Sequence, residues 1–342
     1  MLVDLHDTSI SKQTEYYYVM TSAIQAATEV IESASSENSK KAFKKDLEYW
    51  YSWYQANNIP QHELGKKEHL ILFIIQHAEE MPSHIDDILI AKGTKQNIGL
   101  HKISTIKRRI NSLSSYLRLK KQPNVCADKD IKILLSKLTN KHGCSKSWGD
   151  AITLDVLNKL LATCENDGLH GIRDYALLLF GFSTGGRRRS EITSAMLENL
   201  TRSSGGNFIY NMPKSKTNQS GEDDPKPLAG RAAMALMHWV EVSKITTGPI
   251  FRGVKKGNKI SDKPMSDKQV ANIVKKRCEL AGLDPEKYTA HSLRSGFVTE
   301  GGNRGKPVGD IMAMTGHRNV EQVMKYYKTG AVLNNSAAYL AG

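Results

Sequence analysis

Apolar positions in the first part of the chain recur at helical spacing. Residues 14–31 carry an Ala-rich pattern that predicts a first helix, and 33–39 reads as a loop with Ser39 as the next N-cap. Over 40–57, Phe43, Leu47, Trp50 and Tyr54 share a stripe with Trp53 beside it, while Lys40, Lys41, Lys44 and Lys45 fall on the other side. A third helix is expected over 67–80 and a fourth over 104–121, with Gly93 and Gly99 marking the loop between them. In the fourth, Ile106, Ile110, Leu113 and Leu117 form the core stripe, and Lys107, Arg108 and Arg109 point partly outward. A short helix follows over 130–138, and the polar, glycine-interrupted stretch 139–150 has the composition of an inter-domain linker.

Beyond the linker the helical period continues but strands intervene. Thr153 is placed as the N-cap of a helix over 154–164, and the strongly apolar 172–182 predicts a buried central helix. Residues 208–212 read as a short strand that turns through 218–224 and returns from Pro225 to Leu228. A helix over 231–242 buries Trp239, and Ser266 with Gln269 makes a capping box for 267–280, closed by Gly282. The segment from Phe297 to Asn303 contains Gly301-Gly302, which costs about 1 kcal/mol each in a helix interior and has no account beyond close packing. A short helix over 310–314 precedes one capped by Asn319 that buries Val320, Val323 and Met324. The expected fold is mostly α with a small antiparallel sheet in the C-terminal half. Its two domains are a helical 1–140 and a second domain over 153–342, joined by a linker at 141–152.

Composition adds one fact of consequence. Of 342 residues, 48 are Lys or Arg against 35 Asp or Glu, a net charge of +13 that calls for a polyanionic partner. An anionic membrane surface has little support: the longest apolar runs, Leu70 to Ile75 and Tyr175 to Phe180, fall far below the ~18 residues of a spanning helix. The acidic start, Met1 to Asp7, lacks the regions of a signal peptide, so the protein is expected to stay where it is made. Cys126, Cys144, Cys164 and Cys278 show no CxxC spacing, so neither a zinc site nor a disulfide framework is expected.

The candidate chemistry sits in four short motifs: Gly185-Gly186-Arg187-Arg188-Arg189-Ser190-Glu191, His291-Ser292-Leu293-Arg294, Thr315-Gly316-His317 and Lys325-Tyr326-Tyr327. A phosphodiester under attack builds negative charge on its non-bridging oxygens, and guanidinium groups hold that charge with a planar fork of donors. A tyrosine hydroxyl can attack once its proton is removed, and histidines move protons near neutral pH. His291 and Arg294 lie three apart and share a helix face, so both can reach one phosphate. Such a set needs no metal.

Together these motifs resemble the tyrosine recombinase (integrase) family. The resemblance implies that Arg188, three residues before Glu191, binds the scissile phosphate with Glu191 supporting it from behind. The family's usual spacing from the threonine leaves Arg187 open as the alternative. It further implies that Lys216 (or Lys214), from the strand hairpin, protonates the leaving 5′ oxygen. His291, Arg294 and His317 complete the phosphate site, and Tyr326, nine residues after His317, is the nucleophile ahead of Tyr327. No cofactor is implied. The first half looks like the family's core-binding domain, with Lys41, Lys44, Lys107, Arg108 and Arg109 as DNA contacts, in a two-domain C-shaped clamp. The tail from Ala331 would dock on a neighbouring protomer. The implied assembly is a homotetramer on two double-stranded DNA duplexes with inverted-repeat sites, with no small-molecule substrate and no membrane partner. The likeness is to simple recombinases of the Cre type, although Cre carries tryptophan where His317 stands. A cytoplasmic, nucleoid-associated protein of prokaryotic, phage or plasmid origin follows. A Xer-like dimer resolvase, a type IB topoisomerase or a telomere resolvase would use the same residues, and a non-catalytic DNA-binding regulator would bind without trapping an adduct.

Overall fold

The computed structural model describes residues 37–60, 63, 65–143, 149–213, 224–289 and 291–332. The helix expected over 14–31, both hairpin lysines Lys214 and Lys216, and the tail from 333 onward lie outside the described residues. The chain divides into two compact units, Met1–Lys146 and Ser147–Gly342.

Among its described residues the first unit holds helices and no strand: α1 (Glu37–Ala56), α2 (Lys67–Ala78), α3 (Ser83–Ala91), α4 (Ile103–Leu119) and α5 (Lys129–His142). Ser39 lies inside α1 and is not its cap. The nine-residue α3 is absent from the sequence reading. Its buried stripe holds Asp86 beside Ile85 and Leu89, so its inner face does not look apolar. Asp86 is buried because the equally buried Lys95 pairs with it, which is how a carboxylate survives in a core.

Aromatic rings make this unit's core. Trp50 stacks on Phe73 with centroids 3.8 Å apart, and the indole N–H of Trp53 donates to Gln76 Oε1 at 2.7 Å. Phe43 and Leu47 are only half-buried, whereas Tyr49, off the predicted stripe, is sealed inside. Arg109 corrects the expectation that it faces outward. It is 7% exposed, and its guanidinium lies 3.0 Å from the centre of the Tyr49 ring, a cation–π contact inside the core.

A histidine pair completes the network. Tyr49 Oη lies 2.6 Å from His77 Nε2 and 3.0 Å from His101 Nε2, while His77 Nδ1 donates to Phe73 O at 2.7 Å. Burial pushes His77 well below the ordinary histidine value, and burial with the charges of Arg109 and Lys95 brings His101 down to about 3. Both rings therefore stay neutral in the folded unit while the unfolded chain protonates near pH ~6.5. Depressed histidines contribute stability that is complete above that value and is lost as the pH falls from there toward 3. Hydrogen exchange in α2 is expected to accelerate across this window, with a weaker pH dependence in His101→Gln. Equal exchange at pH 7.5 and pH 4.5 would refute the assignment.

The second unit holds α6 (Leu154–Ala162), α7 (Gly168–Ser183), α8 (Arg189–Thr193), β1 (Leu200–Arg202), β2 (Phe208–Asn211), β3 (Pro225–Leu228), α9 (Gly230–Ser243), β4 (Arg252–Lys255), β5 (Lys259–Pro264), α10 (Asp267–Leu280), α11 (His291–Asn303), α12 (Val308–Thr315) and α13 (Val320–Ala331). Strands β1, β2 and β3 form one antiparallel sheet in that order, with Phe208 opposite Leu228. Its core gathers around α7, where Phe180 meets Tyr210 edge-on and Phe251 at a tilt, and Trp239 of α9 donates to Ile250 O at 2.8 Å.

The sequence reading misses β1 and the β4–β5 hairpin. The hairpin strands carry no fully buried residue and so show no alternation, while Gly257 and Asn258, both with positive φ, make its turn. Thr153 occupies the N-cap of α6 without a side-chain bond. The Glu300 carboxylate accepts from Leu154 N at 3.2 Å instead. Gln269 closes the capping box with Ser266. Asn319 caps α13 by accepting from Glu321 N at 2.8 Å, and Val323 is buried beneath it, but Val320 is 52% exposed, contrary to expectation.

Candidate active site

Two glycines bring the arginine cluster to the C-terminal helices. Gly185 and Gly186 have φ of +101° and +69°, conformations that side chains disfavour. A Cβ on Gly186 would lie 2.2 Å from Arg294 Cα, and one on Gly185 2.1 Å from Met314 O. The chain leaving α7 is thus pressed against both α11 and the end of α12.

Arg187 and Arg188 then part. Arg187 is 2% exposed and donates to Met314 O at 2.5 Å. Arg188 is half-buried and donates to Glu191 Oε1 at 2.5 Å, and its backbone N–H donates to Glu191 Oε2 at 3.0 Å. Burial would raise the Glu191 carboxyl, but Arg187 and Arg188 hold it below its ordinary value. Arg189 is exposed. The charge of Arg188 reaches Arg294, His291 and His317, lowering the proton affinity of each.

Arg294 is buried at the centre. Its guanidinium donates to Gly186 O at 3.2 Å, to Thr315 O, and to His317 Nε2 at 3.3 Å. Burial, then Arg188 and Arg187, push it down to about 10, so it stays charged at neutral pH. His317 Nδ1 lies 2.7 Å from Thr315 Oγ1, which itself donates to Met312 O at 3.4 Å. The threonine therefore accepts from Nδ1–H, leaving Nε2 as the acceptor for Arg294. That pattern is a neutral imidazole, and burial together with Arg294, Arg188, His291 and Arg187 brings His317 down to about 4.

Tyr326, on α13, packs beside Val298, Ile311 and Val323. Its ring centre lies 6.4 Å from that of His291. Burial raises its phenol to about 12, while the crowding protein and the charges of Arg294 and Arg188 lower His291. The phenol is thus protonated at neutral pH and has a neutral imidazole close by. Tyr327 turns elsewhere, its hydroxyl donating to Lys306 O at 3.0 Å.

The glycine pair of α11 has its explanation where α12 and α13 pack against it. A Cβ on Gly302 would lie 2.4 Å from Tyr327 O, one on Gly330 2.0 Å from Thr299 O, and one on Gly301 2.3 Å from Ile311 Cδ1. Backbone contact at the crossing of α11 and α13 sets how near α13 brings Tyr326 to His291. Gly302→Ala is expected to slow the chemistry of the site roughly a hundredfold by displacing the tyrosine by about 1 Å, with unit 1 untouched. Unchanged single-turnover cleavage in that variant would refute the spacing role.

The structure thus groups Arg188, Glu191, His291, Arg294, His317 and Tyr326 in the second unit. Of the five residues predicted to contact DNA, Lys41, Lys44 and Arg108 are exposed and Lys107 is half-buried. Arg108 pairs with Asp46 on α1, and Arg109 is the one turned inward. Lys226 is a residue the sequence reading passes over. It is 2% exposed, and its Nζ donates to the Asp224 carboxylate and to Ala313 O, the latter at 2.5 Å. The signal was present: in Pro225-Lys226-Pro227-Leu228 the strand period puts Lys226 on the same inner face as Leu228.

The chain resembles several known proteins. Residues 150–331 match the model of the Phage integrase family. An integrase/recombinase xerD homolog of Selenomonas ruminantium is 28% identical over 316 residues, covering 90% of this chain and 86% of the relative. The tyrosine recombinase XerD of Xanthomonas axonopodis pv. citri (strain 306) is 24% identical over 191 residues, covering 53% and 59%. Among solved structures, the Tn1549 transposon integrase (residues 82–397) in complex with circular intermediate DNA superposes with a TM-score of 0.50 at 16% identity, covering 87% of this chain and 98% of that one. The XerH recombinase in a post-cleavage complex with palindromic difH substrate gives 0.50 at 15% identity, covering 80% and 77%. The fold and the motifs define the class of the tyrosine recombinases. The chain belongs to the Phage integrase family, and its activity is site-specific DNA recombination.

Proposed function

We propose that the chain cuts and rejoins DNA through a 3′-phosphotyrosyl intermediate, with Tyr326 as the nucleophile. Tyr326 Oη forms a bond to the scissile phosphorus as the bond to the 5′ oxygen breaks. Arg188 and Arg294 hold the non-bridging oxygens, and His317 supplies a further contact. His291, whose ring centre lies 6.4 Å from that of Tyr326, takes its proton, and Lys216 returns one to the leaving 5′ oxygen. The phosphodiester energy stays in the covalent link, so a 5′ hydroxyl from a partner strand reverses the step without ATP. Two such exchanges pass through a Holliday junction in a tetramer on two duplexes with inverted-repeat sites. Lys41, Lys44, Lys107 and Arg108 of the helical unit contact the duplex. The observation that carries this reading is Tyr326 beside His291 within a group whose arginines act electrostatically on both histidines.

The test is to select binding sites from random duplexes and present the selected site with a nick near the cut position. A protein–DNA adduct resistant to denaturant, and products with exchanged flanks from paired sites, are expected. Binding with no adduct would leave a DNA-binding regulator. Relaxation without exchange would make the protein a topoisomerase.

A further inference from the structure

Three buried cations converge on the last turn of α12. Lys226 Nζ donates to Ala313 O at 2.5 Å, Arg187 donates to Met314 O at 2.5 Å, and Arg294 donates to Thr315 O. The acceptors are three consecutive carbonyls, and the last carbonyls of a helix have no donor within it. They also form the negative end of the helix dipole, where cations are favoured. The donors come from three separate places: β3, the glycine turn before α8, and α11. Immediately after this end the chain turns at Gly316, with φ +70°, and delivers His317.

Arg187 and Lys226 are each 2% exposed, so neither has a surface to offer a phosphate. Burying a cation is costly unless it is compensated. Asp224 compensates Lys226, while Arg187 also donates to Gly185 O at 3.4 Å and lies 3.8 Å from a Glu191 oxygen. What both hold in common is the end of α12. Thr315 then passes that placement to two site groups, its carbonyl to Arg294 and its hydroxyl to the His317 ring.

We propose that Arg187 and Lys226 are positioning residues that latch the C-terminal end of α12 and thereby set the orientation of His317 and Arg294. This rests on the reading of His317 and Arg294 as phosphate-holding groups. It also divides the arginine run, with Arg188 toward the phosphate, Arg187 into the latch and Arg189 to solvent. Because one short helix end holds Arg294 through a carbonyl and leads directly into His317, a displacement of about 1 Å there misplaces both site groups together and is worth roughly a hundredfold in rate.

The experiment uses the full chain with Arg187→Met and Lys226→Met, with Arg187→Lys and Lys226→Arg as conservative partners. The first readout needs no DNA: long-range proton–nitrogen NMR of the His317 imidazole. Wild type is expected to show a neutral ring protonated at Nδ1, both Met variants a changed signature, and both conservative variants a partial return. The second is single-turnover adduct formation per folded molecule at saturating DNA. It is expected to fall roughly a hundredfold in each Met variant while DNA affinity holds. If a Met variant fails to fold, Arg187→Gln or Lys226→Gln carries the same two readouts. An unmoved His317 signal with an unchanged rate per folded molecule overturns the latch. So does loss of cleavage in Arg187→Met with retention in Arg188→Met, which would make Arg187 the phosphate ligand. A moved His317 signal in a protein whose wild type forms no adduct would leave the latch standing and remove the proposed reaction instead.

Discussion

Tyr326→Phe is expected to lower covalent adduct formation by at least about 10⁴-fold, since removal of a nucleophile leaves only the assistance of the remaining site. Folding and DNA binding should be preserved. The ring packs against the small apolar cluster of Val298, Ile311 and Val323, and phenylalanine keeps that packing. The Thr299 hydroxyl contacts Tyr326 through its backbone carbonyl, which the substitution does not touch. Tyr327→Phe is the matched control. Its hydroxyl reaches Lys306 O near the surface, so its loss should leave cleavage nearly unchanged. With the Tyr326 phenol raised to about 12 by burial, wild-type cleavage should depend on a neutral base, and on that reading it falls as His291 is protonated in acid. An adduct that persists in Tyr326→Phe and vanishes in Tyr327→Phe would move the nucleophile by one residue and overturn the assignment.

Arg277→Met should cost the second unit about 3–5 kcal/mol, the range for breaking a buried ion pair from one side. Arg277 is fully enclosed. It donates to Thr163 O at 2.7 Å, to Asp167 Oδ2 at 2.6 Å, and to Asp174 Oδ2 through Nε at 3.0 Å and a terminal nitrogen at 2.6 Å. This one guanidinium ties α10 to both α7 and the loop that precedes it. Methionine fills much of the volume but leaves the buried Asp174 carboxylate with Arg173 alone. Denaturant titration of the full chain is expected to show the transition of this unit at markedly lower denaturant. Adding Asp174→Asn should restore part of the loss, because no buried carboxylate is then left short of a partner. A midpoint shift worth less than about 1 kcal/mol would show that the pair is replaceable by packing alone.

Much of the site is legible in the chain because its chemistry is local. His291 and Arg294 share a helix face by their spacing, Asn319 announces the helix that bears Tyr326, and Gly185-Gly186 marks a tight turn beside the arginines. The long amphipathic helices of the first unit are legible for the same reason, since their apolar stripe is written into neighbouring residues. The short α3 is not, because its inner face includes Asp86, whose partner Lys95 lies beyond the helix. The β4–β5 hairpin buries too little to show a period of two.

The placement of basic residues is where the chain alone runs out. Arg109 is expected to point partly outward, Arg187 stands as an alternative phosphate ligand, and Lys226 and Arg277 carry no expectation, yet all four are buried. Their partners are a tyrosine ring, a helix-end carbonyl, a second helix-end carbonyl with an aspartate, and a pair of aspartates. Several of these partners lie about a hundred residues away, and no local pattern encodes such a pairing. The close approaches that require Gly302 and Gly330 likewise exist only once α11 and α13 cross. Sequence by itself determined the helical class, the net basic charge and the order and spacing of the arginine, histidine and tyrosine motifs, because spacing and composition carry those directly. Tertiary structure alone decided which cations face inward and how near Tyr326 comes to His291, because burial and distance depend on which remote segments meet.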